Sequence, residues 1–281
     1  MSGTVFAVVL LAAALHAGWN ALVKGGADKA AAMAAVVIGQ GSAAILLLPF
    51  APIPDPACWP YLLGGVLLHL GYQLFLMKSY SIGDLTQVYP IARGVAPLIV
   101  AGVSVLLLGV RFSQVELLAM GLISVGIASI SLTRRADGLF QVKAAGLALI
   151  TGMFIASYSL VDGQGARIAG TALGFFALLS ILNTVGFVLV AAVARPGLVR
   201  RGLAMRRTAL FGGGASFLAY LLVVWGFTQA PIALVTALRE VSIVFALILG
   251  VTILREPVNL AKVASTALTL SGALLLRLGR S

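Results

Sequence analysis

Apolar stretches of about twenty residues recur from one end of this 281-residue sequence to the other, and nothing between them is long enough to make a soluble domain. A helix that crosses a bilayer needs about 20 mostly apolar residues. Ten such segments are read here, at 4–23, 30–50, 59–78, 86–109, 114–133, 143–162, 171–193, 208–229, 232–254 and 259–277. Helices satisfy their backbone hydrogen bonds within the segment, whereas a membrane barrel would show short alternating strands. The expected fold class is therefore all-α, a polytopic membrane protein with ten transmembrane helices. The charged fraction agrees, at 10% against about 25% in soluble domains.

The first segment contains His16, Trp19 and Asn20 and is preceded by no basic stretch, so it reads as a spanning helix rather than a cleaved signal peptide. The formal net charge of +11 raises nucleic acid as a partner, but most of the cations stand at segment ends or in one linker. Alternating through ten spans, the N-terminal face carries Arg111, Arg167, Arg277 and Arg280, and thirteen loop cations lie on the other face. By the positive-inside rule, both termini are expected outside and the basic linker Arg195–Arg207 in the cytoplasm. That linker interleaves cations with Leu198, Val199, Leu203 and Met205, which also suits anionic headgroups. The expected setting is the inner (plasma) membrane, with the lipid bilayer and no nucleic acid as partner.

Two arginines, Arg93 and Arg239, fall inside apolar segments and lie 146 residues apart. The same shift pairs Val95 with Val241, Leu108 with Leu254 and Gly126 with Gly272. A shift of 148 pairs Gly64-Gly65 with Gly212-Gly213 and Tyr72 with Tyr220, and a shift of 139 brings Trp19 over Tyr158. The chain reads as two five-helix repeats, 1–135 and 136–281. Because five is odd, the second repeat enters the membrane from the opposite side, the inverted arrangement of many secondary transporters.

A charge at membrane depth costs from a few to more than ten kcal/mol and is a functional-site hypothesis by default. Guanidinium offers a fork matched to carboxylate or phosphate, so each arginine reads as a ligand for an anionic substrate group. The structural alternative stands beside it: Arg239 pairs with a carboxylate such as Glu240 or Asp162, and Arg93 caps carbonyls near Pro90 and Pro97. Neighbours on a regular helix point about 100° apart, so Arg239 and Glu240 are not expected to pair with each other. In an inverted repeat the two arginines would flank the midplane like two gates.

Helical spacing selects further candidates. His16, Trp19 and Asn20 stand at i, i+3 and i+4 and share one stripe, as do His69, Tyr72 and Gln73. No carboxylate or thiol accompanies the two imidazoles at ligand spacing, and neither metal nor cofactor is expected. The single cysteine, Cys58, leaves no intramolecular disulfide.

The two five-helix halves, the glycine-rich spans, a fourth segment ending Leu-Leu-Gly109-Val110-Arg111 and a ninth ending Leu254-Arg255-Glu256-Pro257 resemble the EamA family of the drug/metabolite transporter superfamily. That family often has a Gly-Glu step where helix four ends; here the position after Gly109 is Val110, so Glu256 reads as a membrane-boundary residue. The resemblance implies a central cavity surrounded by helices 1, 3, 4, 6, 8 and 9. The segments at those places are the ones rich in polar and aromatic residues. The substrate-binding set is then His16, Trp19, Asn20, His69, Tyr72, Gln73, Arg93, Tyr158, Tyr220 and Arg239, with no catalytic residue. The implied function is a secondary transporter, an exporter of a small polar metabolite such as an amino acid or related anionic or zwitterionic compound, by alternating access. A coupling proton or a counter-solute would supply the energy, since no nucleotide-binding loop is present. Two alternatives are a flippase or carrier for lipid-linked or phosphonate-like compounds and a multidrug efflux protein. A membrane enzyme is disfavoured, because neither paired acids nor an HExxH-type cluster is found.

Overall fold

The computed structural model describes residues 1–24, 28–82, 85–131, 142–252 and 260–279, and every regular element among them is helical. The chain runs through α1 (Gly3–Lys24), α2 (Lys29–Leu47), α3 (Trp59–Ile82), α4 (Leu85–Leu106), α5 (Gln114–Ser131), α6 (Val142–Ala169) and α7 (Ala172–Ala194). It continues through a short α8 (Leu198–Ala204), a π turn (Thr208–Gly213) leading into α9 (Gly214–Gln229), then α10 (Ile232–Arg239), α11 (Ser242–Thr252) and α12 (Leu260–Leu278). The Gly83-Asp84 turn and the Leu254-Arg255-Glu256-Pro257 end of the ninth segment lie outside the described residues.

Among the described residues, six helical stretches are long and apolar enough to cross a membrane: 3–23, 29–50, 145–169, 172–194, 208–229 and 232–252. Two shorter apolar helices occupy 90–106 and 114–129. The expectation of ten single helices is not reproduced. The segment read as the ninth is two helices, because the backbone tightens after Arg239, and the basic linker folds α8.

Local chemistry explains the helix ends. Asp28 caps α2 by accepting from the Ala31 amide at 2.9 Å, and Thr171 caps α7 by accepting from the Gly174 amide at 3.1 Å. At the start of α5 the Ser113 amide donates to Glu116 at 2.9 Å and the Glu116 amide to Ser113 at 3.2 Å, a reciprocal capping box. Arg167, read from sequence as a loop cation, instead donates from Nε to the Phe227 carbonyl and from Nη2 to the Ala230 carbonyl, both at 2.8 Å. It thereby satisfies carbonyls that the end of α9 leaves without amide partners.

Packing places α1 against α9, α10 and α11, and α6 against α3 and α4; α2 lies on α7, and α5 crosses α12. The last crossing is close because both helices present glycine. A Cβ on Gly126 would come within 2.9 Å of the Thr269 amide and 3.0 Å of the Ser265 carbonyl, and one on Gly272 within 2.6 Å of the Ala119 carbonyl. Ser265 also donates to the Gly126 carbonyl. Apolar side chains such as Leu46, Leu67, Leu106 and Leu189 remain exposed on the outer faces. Such continuous exposure is what lipid contact requires and water would penalise. The all-helical chain is accordingly a multi-pass membrane protein.

Candidate substrate site

Arg93 stands on α4 between Pro90 and Pro97, and Pro97 has no N–H to give the Arg93 carbonyl. The guanidinium is 3% exposed; its Nε lies 2.6 Å from Glu240 Oε2, and its Nη2 donates to Ser242 Oγ at 3.0 Å. Glu240 is fully buried between α10 and α11, where the chain turns through hydrogen bonds from Glu240 to Ala237, Val241 to Leu238 and Ile243 to Glu240. These span three residues rather than four, the tighter spacing that often marks a functional hinge inside a helix. Arg239 Nη2 approaches the other carboxylate oxygen, Glu240 Oε1, at 3.4 Å.

Two sequence expectations are corrected by this geometry. Arg239 and Glu240 do pair, because the regular helix stops at that step and the 100° offset no longer applies. The arginines do not stand apart as two separate gates: one carboxylate holds both, so they meet at a single place in the core.

A second buried carboxylate lies nearby. Asp162 of α6 has no exposed surface; its Oδ2 accepts from the Tyr220 hydroxyl at 2.8 Å and is 2.8 Å from His69 Nε2. The His69 ring stacks on Tyr158 with centroids 4.2 Å apart, and Tyr72 and Tyr220 meet Tyr158 edge-on at 5.6 and 6.0 Å. The Arg239 guanidinium carbon is 5.9 Å from the ring centres of both Tyr158 and Tyr220, within cation–π range. The aromatic group therefore joins the Arg93–Glu240–Arg239 assembly to the His69–Asp162–Tyr220 assembly. Gly65 on α3 makes room for this, since a Cβ there would lie 2.7 Å from Asp162 Oδ1.

His69, Tyr72, Arg93, Tyr158, Tyr220 and Arg239 are thus brought together, from helices widely separated in sequence. On α1, His16 and Trp19 form an edge-on pair at 5.1 Å, and Trp19 is 9% exposed. Asn20 spends its amide within its own helix, donating to the His16 carbonyl at 2.8 Å. Gln73 lines a crevice on the flank of the bundle with Leu70 and Phe187. Among the described residues, the buried atoms Trp19 Nε1, Arg239 Nε, Thr236 Oγ1 and Asp162 Oδ1 have no hydrogen-bond partner. Buried polar atoms in native proteins are almost always satisfied, so such a group of exceptions points to a place where a ligand's polar atoms fit.

Asp162, Glu240 and Ser242 are absent from the set read in sequence. Asp162 follows Tyr158 by four residues on one stripe, and a carboxylate at membrane depth was itself a signal. Ser242 gave none, because only the tight turn aims it at Arg93. Among the described residues, no group of three or more His, Cys, Asp or Glu side chains is gathered as a metal ion would need.

Comparison with known proteins agrees with this architecture. A solved structure, titled only as the crystal structure of a protein, superposes over 100% of both chains with a TM-score of 0.74 and 18% identity, which shows a shared fold. No curated protein matches the sequence. The model of the EamA-like transporter family matches residues 142–278, covering α6 through α12. Residues 142–278, about half of the chain, thus match the EamA-like transporter family, which belongs to the drug/metabolite transporter superfamily.

Proposed function

We propose that this membrane transporter is a secondary exporter of a small polar metabolite, an amino acid or a related anionic or zwitterionic compound, working by alternating access. The observation that carries the reading is Arg239: a guanidinium sealed among tyrosine rings, with its Nε unpartnered among the described residues. A substrate carboxylate would complete it, with Trp19 Nε1 as a further donor. Arg93, held by Glu240 and Ser242, serves the turn that presents Arg239. The polar set His16, Asn20, His69, Tyr72, Gln73, Tyr158 and Tyr220 then divides: the rings and His69 form the wall of the site, whereas Asn20 and Gln73 shape its margins.

Two five-helix repeats, 1–135 and 136–281, are part of this proposal. Two features of the packing support it. The contacts exchange, with α1 on α9 through α11 matching α6 on α3 and α4. The glycine crossing exchanges too: Gly126 faces Ser265 and Thr269, while Gly272 faces Ala119 and Ile123, and each partner is its counterpart's position moved by 146. A substrate site where the halves meet suits inverted repeats that rock against each other. The energy source is a proton or counter-solute gradient, and His69–Asp162–Tyr220 is where such a proton would reside. In this reading both termini lie outside and the α7–α9 linker in the cytoplasm, in an inner membrane, as the loop charges favour.

The test is a thermal-shift panel of amino acids, carboxylates and lipid headgroup phosphates on purified protein, since binding stabilises the folded state. Flux of the hits is then measured in proteoliposomes. A carboxylate hit whose flux Arg239→Gln abolishes is expected. Flux of only lipid-linked or phosphonate compounds, or an unchanged affinity in Arg239→Gln, would overturn the substrate reading.

A further inference from the structure

The flank crevice shares only Gln73 with the polar set of the proposed site and is built from the second halves of α3 and α7. These helices run side by side in the same direction: Gly65 meets Leu179, and Gly186 meets Leu70. Parallel neighbours sort their chemistry along the groove. Leu70, Leu74, Phe187 and Val190 form its inner wall, while Lys78 and Arg195 stand where the two helices end and Leu198 of α8 closes the base. From Leu70 to Lys78 is eight residues, about 12 Å of helix. The space has a volume of about 230 Å³, and of its lining Leu74, Val190, Lys78 and Arg195 are exposed.

An apolar slot that opens toward the lipid and ends in two cations matches an amphipathic anion. We infer that the α3–α7 crevice is a binding site for an anionic phospholipid, with one acyl chain along Leu70, Leu74, Phe187 and Val190 and the headgroup phosphate between Lys78 and Arg195. Charge complementarity selects the occupant. Beyond Arg195 the linker adds Arg200, Arg206 and Arg207, all exposed, and places no carboxylate between Arg195 and Arg207. Attraction of an anionic leaflet to basic residues at a membrane surface has the same origin. The basic linker that sequence marks as a topology signal thus also rims a built groove. By the loop charges this is the cytoplasmic leaflet. The site would let the lipid hold α3, which carries His69 and Tyr72, against α7.

The test uses the full chain purified in detergent, with dioleoyl-phosphatidylglycerol, dioleoyl-phosphatidylcholine and glycerol 3-phosphate as the three probes, and native mass spectrometry together with melting temperature as readouts. Phosphatidylglycerol is expected to bind and raise the melting temperature, phosphatidylcholine to bind much less, and glycerol 3-phosphate not at all. The double variant Lys78→Gln/Arg195→Gln should weaken phosphatidylglycerol roughly thirty-fold, at about five-fold per basic residue. Leu74→Trp, which fills the slot and leaves the charges, should weaken it as well. Arg200→Gln/Arg206→Gln, outside the slot, should change affinity less than three-fold. Equal weakening by both charge pairs would mean diffuse attraction and overturn the site, as would binding of glycerol 3-phosphate as tight as that of the lipid. Either failure leaves the transport reading intact, because that reading rests on Arg239 and on flux.

Discussion

Glu240→Gln keeps the size of the side chain and removes the one charge that holds two guanidiniums. In the structure the contacts are 2.6 Å to Arg93 and 3.4 Å to Arg239, and all three side chains are at most 3% exposed. At an effective dielectric constant of about 20, a unit charge pair 4 Å apart is attracted by about 4 kcal/mol. Removing one partner of a buried pair destabilises by about 3–5 kcal/mol, since the remaining charge keeps its desolvation cost. Here two cations are left, and they also repel each other. For a chain of about this size, 1 kcal/mol shifts the melting temperature by roughly 2–4 °C, so Glu240→Gln should melt about 6–20 °C below the parent in detergent. The double variant Arg93→Gln/Glu240→Gln restores charge balance around a lone Arg239 and should recover about half of that loss. A Glu240→Gln protein melting within about 2 °C of the parent, or a double variant less stable than Glu240→Gln, would refute the shared-carboxylate account.

Three further outcomes are expected. Gly126→Ala and Gly272→Ala should each cost about 1–3 kcal/mol by forcing α5 and α12 apart, and thermal unfolding should give similar losses for both, as exchanged surroundings require. Arg167→Gln should cost about 1–2 kcal/mol after allowance for its partial exposure, because the carbonyls of Phe227 and Ala230 lose charged donors; hydrogen exchange should rise at the end of α9. Asp28 is held ionised below the usual carboxylate range, first by the Ala31 amide and then by Arg201 at 3.1 Å. Its contribution is present above the unfolded pKa and is lost as pH falls through the depressed folded value, so an Asp28→Ala variant should differ in melting temperature from the parent at pH 7 and converge with it below that value.

The all-helical, membrane-spanning class could be read from sequence because bilayer thickness fixes the length of apolar segments, although the count of ten single helices is not reproduced. The break after Arg239 could not. Apolar periodicity runs straight through Leu238 and Val241, and only the meeting of Arg93, Glu240 and Ser242 from two helices makes a tight turn worthwhile. The aromatic wall was legible, since His69 with Tyr72 shares a stripe and Tyr220 aligns with Tyr72. That Gln73 lines the flank crevice was not legible, because consecutive residues on a helix point about 100° apart and spacing alone does not tell which neighbour lies on either side. Asp162 was visible as an intramembrane acid, yet its bond to His69 spans 93 residues and no local pattern encodes it.

The single carboxylate between Arg93 and Arg239 also bears on how the chain can be divided. If the two halves were expressed as separate polypeptides cut between α5 and α6, the first would carry a guanidinium in the membrane with no counter-charge, and the second would hold a matched pair of its own. The two fragments would therefore be unequal: the second could persist alone, while the first would depend on its partner to avoid degradation. Co-expression should rescue the first fragment far more than the second, so quality control would read out the ion pair directly.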